Sequence, residues 1–134
     1  MTDREIISNA REWVGTKWMH GACIKGYRVD CIQFIVAIAK QNGWLPLDYK
    51  TKPYNQDYAL HNSASLIKKE IGEYCYKVDT PQIGDVLLFT FGKCASHAGV
   101  YVGRDKIIHA HIKYGVIEDN VDYSKLDSTW RFNG

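Results

Sequence analysis

The chain has 134 residues, 46% of them hydrophobic and 24% charged, which suits one domain with its own core and is too apolar for intrinsic disorder. Seventeen Lys and Arg against fifteen Asp and Glu leave a net charge of +2, scattered along the chain, so no basic strip offers itself to a nucleic-acid backbone. The longest apolar run, residues 34–39, is far short of the ~20 residues a membrane span needs.

Thr2 followed by Glu5 forms a capping box, and Ile6, Ile7, Ala10, Trp13 and Val14 repeat at helical spacing, which predicts an amphipathic helix over 3–14. Gly15 stands where a left-handed cap is expected, and 15–29, punctuated by Gly15, Gly21 and Gly26, reads as loop. Asp30 is placed to cap a second helix from Cys31 to about Lys40, ended by Asn42-Gly43 and apolar nearly all round, hence buried. A linker punctuated by Pro46 and Pro53 leads to a weaker helical pattern over 56–70. From Tyr74 the period changes to two. Strands are expected at 74–78, 85–90, 98–102, 106–110 and 115–118, separated by turn residues at Pro81, Gly84, Gly92, Gly103-Arg104-Asp105 and Tyr114-Gly115. Helices first and strands second predict an α+β domain with helices packed on an antiparallel sheet.

The four cysteines, Cys23, Cys31, Cys75 and Cys94, form no C-x-x-C pair and are read as reduced thiols. Cys31 follows a helix cap, where unsatisfied N–H groups and the helix dipole favour thiolate over thiol. A small, apolar core cysteine fits the same position. A nucleophile needs a base and the base needs an orienter. The turn at 103–105 makes 98–102 and 106–110 a hairpin, which brings His97 and His109 together at the ends remote from the turn. Alternation puts His109 and His111 on one face, so spacing alone does not choose between them. His109-Ala110-His111 also has a spacing that clasps zinc, without a second close ligand pair to complete a site. His20 and His61 carry no argument.

Gly15-Thr16-Lys17-Trp18, Asp30-Cys31-Ile32-Gln33-Phe34, Gly84-Asp85-Val86-Leu87-Leu88-Phe89, Ser96-His97-Ala98-Gly99-Val100-Tyr101-Val102-Gly103 and Ile107-Ile108-His109-Ala110 together resemble the NlpC family of papain-like cell-wall cysteine peptidases. The loop His20-Gly21-Ala22-Cys23-Ile24-Lys25-Gly26 and the ending Trp130-Arg131-Phe132-Asn133-Gly134 are similar to those of its short, single-domain branch in bacteriophage tail modules. The resemblance implies a papain-like fold with the nucleophile at the start of a buried helix, and a single catalytic domain over 1–134. The implied activity is hydrolysis of peptidoglycan stem peptides, typically between γ-D-glutamate and a diamino acid, without cofactor or metal. Cys31 falls on the nucleophile, His97 on the general base and His109 on its orienting partner. Trp18, Asp30 and Ser96 fall where substrate is bound. Trp18 replaces the family's usual tyrosine, and Ile32 and Gln33 replace smaller residues, which predicts a narrower pocket.

The implied partners are stem peptides and phage tail proteins. Residues 1–5 alternate in charge where a secretory signal places a basic stretch and an apolar core. The expectation is therefore synthesis in the cytoplasm without a signal peptide, with delivery by a virion tail or by lysis. Other readings of the same residues are a tail scaffold that keeps the fold without activity, an amidase or acyltransferase of the same fold, and a metal-binding module.

Overall fold

The computed structural model describes residues 1–52, 54, 66–91 and 94–133. Helix α1 (Asp3–Arg11) carries the capping box, with Thr2 Oγ1 accepting from Glu5 N at 3.1 Å. Its regular turns stop at Arg11, earlier than the hydrophobic spacing suggests. Trp13 and Val14 follow as turns, and Gly15 enters the left-handed region at φ 95°.

Residues 15–29 are not simple loop. They hold a three-stranded sheet of two-residue strands, β1 (Lys17–Trp18), β2 (Cys23–Ile24) and β3 (Arg28–Val29), with β3 in the middle, parallel to β1 and antiparallel to β2. Strands this short have no period to read. The small sheet is pinned to the rest of the fold at Gly115, whose N–H neighbour Val116 donates to Thr16 O at 2.8 Å. A Cβ at Gly115 would lie 2.4 Å from that same oxygen, and φ there is +75°, so only glycine permits the approach.

Helix α2 (Cys31–Gln41) starts at Asp30 and is capped at Asn42. Its residues Ile32, Phe34, Ile35, Val36, Ile38 and Ala39 are buried. Helix α3 (Leu66–Ile71) realises the end of the expected 56–70 pattern; residues 56–65, with His61, and the expected punctuation at Pro53 and Gly92 lie outside the described residues.

The main sheet has six strands: β4 (Cys75–Val78), β5 (Val86–Phe91), β6 (Cys94–Gly103), β7 (Lys106–His111), β8 (Gly115–Asn120) and β9 (Leu126–Phe132), in the order β4-β9-β5-β6-β7-β8 and antiparallel throughout. Strand β9 was not expected from the sequence. Its central residues Ser128 and Thr129 are buried but polar, so its hydrophobic alternation is weak. It is fixed by Arg131, which grips the buried Asp85 with two hydrogen bonds of 2.9 and 2.8 Å. The β6–β7 turn places Arg104 and Asp105 at positive φ, 55° and 59°, as a two-residue hairpin turn requires.

The larger core lies between the helices and one sheet face, where Phe34, Ile35 and Ile38 meet Ala98, Val100 and Ile108. A second cluster, Leu87, Phe89, Tyr101, Ile107 and Val121, covers the opposite face. The architecture is α+β, with helices on a mostly antiparallel sheet. Among the described residues no helix is long and apolar enough to cross a membrane.

Candidate active site

Cys31 is the first residue of α2, because Asp30 stops the extended backbone of β3 and opens the helix. Asp30 is buried, and its carboxylate is filled by donors. Gln33 N lies 2.8 Å from Oδ1, Gly21 N lies 2.6 Å from Oδ2, and the Tyr54 hydroxyl also donates to Oδ2. His20 Nδ1 stands 3.9 Å from the same oxygen, with its ring edge-on to Tyr54. One carboxylate thus ties together the helix start, the 20–23 turn and the segment carrying Tyr54.

The Cys31 sulfur reaches across to β6, 3.9 Å from the Ser96 carbonyl oxygen. Burial, reinforced by the Asp30 carboxylate, pushes the thiol up to about 12, against the pull of the backbone N–H groups of Ala98, Cys31 and Ile32. This corrects the expectation of a thiolate favoured by the helix start. Desolvation outweighs the dipole, and the resting sulfur keeps its proton. Cys23 and Cys75 are raised as well, chiefly by burial. Neither is in a disulfide, and the Cys94 side chain lies outside the described residues.

Register brings the two histidines together. Phe89 pairs with His97, and Gly99 pairs with His109, so His97 and His109 are diagonal neighbours on one sheet face. His97 Nε2 lies 2.6 Å from His109 Nδ1. Gly99 makes room for this contact, since a Cβ there would sit 3.2 Å from His109 Cβ. Burial, with His109 and then His111 nearby, pushes His97 well below its ordinary 6.5. Burial also lowers His109, whose Nε2 lies 3.3 Å from Asp119 Oδ2.

His111 shares the face with His109, their ring centroids 5.9 Å apart, yet it takes no part in the pair. Its Nδ1 accepts from Lys113 N at 3.0 Å and Tyr114 N at 3.3 Å. The geometry therefore makes the choice that spacing left open. Among the described residues no three His, Cys, Asp or Glu side chains are grouped to hold a metal ion.

The remaining expected residues are placed differently from one another. Ser96 meets Cys31 through its backbone oxygen. Trp18 is half-buried and packs against the larger core, beside Val29 in the small sheet. Ile32 is buried in the core. Gln33 is engaged elsewhere through its side chain, its Nε2 donating to Thr51 Oγ1 at 2.9 Å and reaching Tyr54 Oη at 3.4 Å. Sequence reading assigned no part to Tyr54 or Asp119. Tyr54 sits in a proline-punctuated linker, and Asp119 falls one residue beyond the expected end of its strand.

Residues 13–131 match the NlpC/P60 family. Among curated proteins the chain is similar to the murein DD-endopeptidase MepS/murein LD-carboxypeptidase of Escherichia coli K12, 26% identical over 84% of this chain and 51% of that protein. A probable endopeptidase of Haemophilus influenzae is 25% identical over 87% of this chain and 64% of its own length. The chain thus spans half to two-thirds of these relatives. Among solved structures it resembles the NlpC/p60 domain of the peptidoglycan hydrolase SagA, at TM-score 0.68 and 16% identity, covering 98% of this chain and 100% of that one. It also resembles NlpC2 from Trichomonas vaginalis, at TM-score 0.72 and 16% identity, covering 97% of this chain and 46% of that one. These structural likenesses establish the papain-like fold, and with the sequence match over 13–131 they make the chain a member of the NlpC/P60 family.

Proposed function

We propose that the domain is a cysteine peptidase hydrolysing amide bonds in peptidoglycan stem peptides, with Cys31 as nucleophile, His97 as general base and acid, and His109 as the partner that orients His97. The observation that carries this reading is the 2.6 Å contact between His109 on β7 and His97 on β6, the strand whose backbone the Cys31 sulfur meets at Ser96. In the reaction the Cys31 proton passes to a ring nitrogen of His97 as sulfur attacks the carbonyl carbon. Backbone N–H groups at the start of α2 receive the charge that develops on oxygen. The C–N bond then breaks, His97 hands its proton to the leaving amine, and a thioester remains. Water gives a proton to His97 as it attacks the thioester, and that proton returns to the departing sulfur.

The bond we assign is γ-D-glutamyl to diamino acid, and the setting a phage tail, on the resemblance of residues 20–26 and 130–134 to tail modules. The name of the Escherichia coli relative favours a second reading, cleavage of a DD bond. Incubation with purified muropeptides and mass spectrometry of the products separates the two. A γ-D-glutamyl cut is expected. A DD product moves the assignment to the second reading, and intact muropeptides overturn the peptidase reading.

Two expected results follow from the histidines. His109→Ala should cost ten-fold or more in kcat, about 1.4 kcal/mol of barrier, while His111→Ala, which removes an Nδ1 bonded to the 113–114 turn and not to His97 or His109, should cost less than about two-fold. Equal losses in steady-state assays would undo the assignment. The second result concerns pH. His97 must be neutral to accept the thiol proton, so kcat/KM rises as pH climbs through its pKa. Because burial places that pKa below 6.5, the acid limb lies below 6.5 as well. Activity at pH 5.5 should stay within about two-fold of that at pH 7, whereas an ordinary histidine would lose roughly eight-fold. A limb centred at or above 6.5 in a kcat/KM profile would refute the neutral resting pair.

A further inference from the structure

The contact between His97 and His109 leaves one question that decides whether the pair works. Between Nε2 of one ring and Nδ1 of the other there is room for one hydrogen. If His109 Nδ1 holds it, neutral His97 carries its own hydrogen on Nδ1 and has no other nitrogen left to accept a proton. If His97 Nε2 holds it, His97 Nδ1 is the unprotonated, basic nitrogen.

We propose that Asp119 is a positioning residue that settles this by fixing the tautomer of His109. An ionised carboxylate only accepts hydrogen bonds, so Asp119 Oδ2, 3.3 Å from His109 Nε2, requires the hydrogen of His109 to be on Nε2. A neutral His109 then has a bare Nδ1, which must accept from His97 Nε2–H. The chain Asp119, His109, His97 thus transmits a direction inward and leaves His97 Nδ1 basic. Burial keeps His109 neutral rather than doubly protonated, which is the condition for a tautomer to matter.

The carboxylate is aimed by the fold. Ile107 pairs with Asp119 and His109 with Ile117, so Asp119 is the diagonal neighbour of His109 on the same face. Its other oxygen accepts from Asn120 N at 2.8 Å, which turns Oδ2 toward the ring. Among the described residues, the titratable groups facing His109 are His97 from β6, His111 on its own strand and Asp119 from β8. Of these Asp119 is the only one whose chemistry dictates where a hydrogen must be. The side chain is 47% exposed, so the bond is worth little to stability. Choosing between two tautomers of similar energy needs little.

The proposal rests on His97 as base, and its test has a readout independent of activity. Long-range proton–nitrogen NMR of the histidine rings, on the full chain at pH 7, should show His109 protonated at Nε2 and bare at Nδ1, and His97 the same. Asp119→Ala should mix the tautomers of both rings and lower kcat five- to ten-fold with KM within about two-fold, ten-fold being about 1.4 kcal/mol of barrier. Asp119→Asn, whose single amide oxygen stays with Asn120 N and whose NH2 then faces His109 Nε2, should move the His109 hydrogen to Nδ1 and lower kcat at least as far as Asp119→Ala. A wild-type His109 protonated at Nδ1 overturns the proposal. So does an Asp119→Ala protein with unchanged ring signals, or one with changed signals and unchanged kcat. If the wild-type chain cleaves no stem peptide, the peptidase reading fails, and the ring signals alone still decide whether Asp119 sets the tautomer.

Discussion

Cys31→Ala is expected to remove at least about a thousand-fold of the hydrolytic rate while leaving the protein folded. The two readings of Cys31, nucleophile and core residue, differ most here. As a core residue it would be missed for its packing. Yet Cys31 is only partly buried at the rim of the larger core, and alanine at the first position of a helix keeps the backbone and loses one sulfur, a cost of about 1 kcal/mol or less. That corresponds to a few degrees in Tm for a chain of this size. A large kinetic loss with a small thermal one assigns the sulfur to chemistry. Cys31→Ser sharpens the result, since a hydroxyl fits the site and accepts the same N–H groups but is a far poorer nucleophile without stronger activation. It should be nearly as inactive as alanine. Residual activity within about ten-fold of wild type in either variant, measured by muropeptide turnover, would mean that another group attacks the bond.

The thiol's high pKa does not conflict with this role. Burial penalises each ion separately, raising Cys31 and lowering His97, so the resting pair is neutral and the proton moves during attack. Sequence reading anticipated the helix start and its dipole but not the desolvation, because enclosure depends on what packs against the sulfur. That packing comes from β6, 65 residues away at Ser96.

The same distinction divides the rest of the molecule. The capping box Thr2–Glu5 and the Asp30 cap were legible because they act over three residues. The apolar runs of β5, β6 and β7 were legible because both faces of each are covered, one by the helices and the other by the smaller cluster. The hairpin turn at 103–105 then fixed which ends of its strands meet, and so placed His97 near His109. What was not legible had no local period. The three-stranded sheet is held by cross-strand bonds between two-residue pieces, and β9 buries Ser128, whose Oγ accepts from Trp130 Nε1, and is tied down by Arg131 on Asp85. Tyr54 meets Asp30 from 24 residues away, and Asp119 meets His109 across a strand pair. Such contacts are properties of the folded register and leave no mark on spacing.

Asp30→Ala should be the most destabilising change at the site. The buried carboxylate accepts from Gln33 N, Gly21 N and the Tyr54 hydroxyl. Loss of the cap alone costs about 1 kcal/mol, and each buried donor left without a partner costs about 1–3 kcal/mol. These overlap, so a total of about 2–4 kcal/mol is expected in urea unfolding. This departs from the role the family resemblance implies for Asp30. A carboxylate already holding three donors has little left for a substrate, and its work is to hold the 20–23 turn and Tyr54 around the sulfur. Asp30→Asn keeps one acceptor and turns an NH2 toward a donor, so its loss should fall between wild type and alanine. The electrostatic consequence has the opposite sign. Asp30 raises the Cys31 thiol, so removing its charge lowers that pKa, and Cys31 in the folded Asp30→Asn protein should be alkylated faster at pH 7 than in wild type. If Asp30→Ala instead leaves the urea midpoint unchanged and raises only KM, Asp30 is a substrate ligand and the turn is held by other bonds.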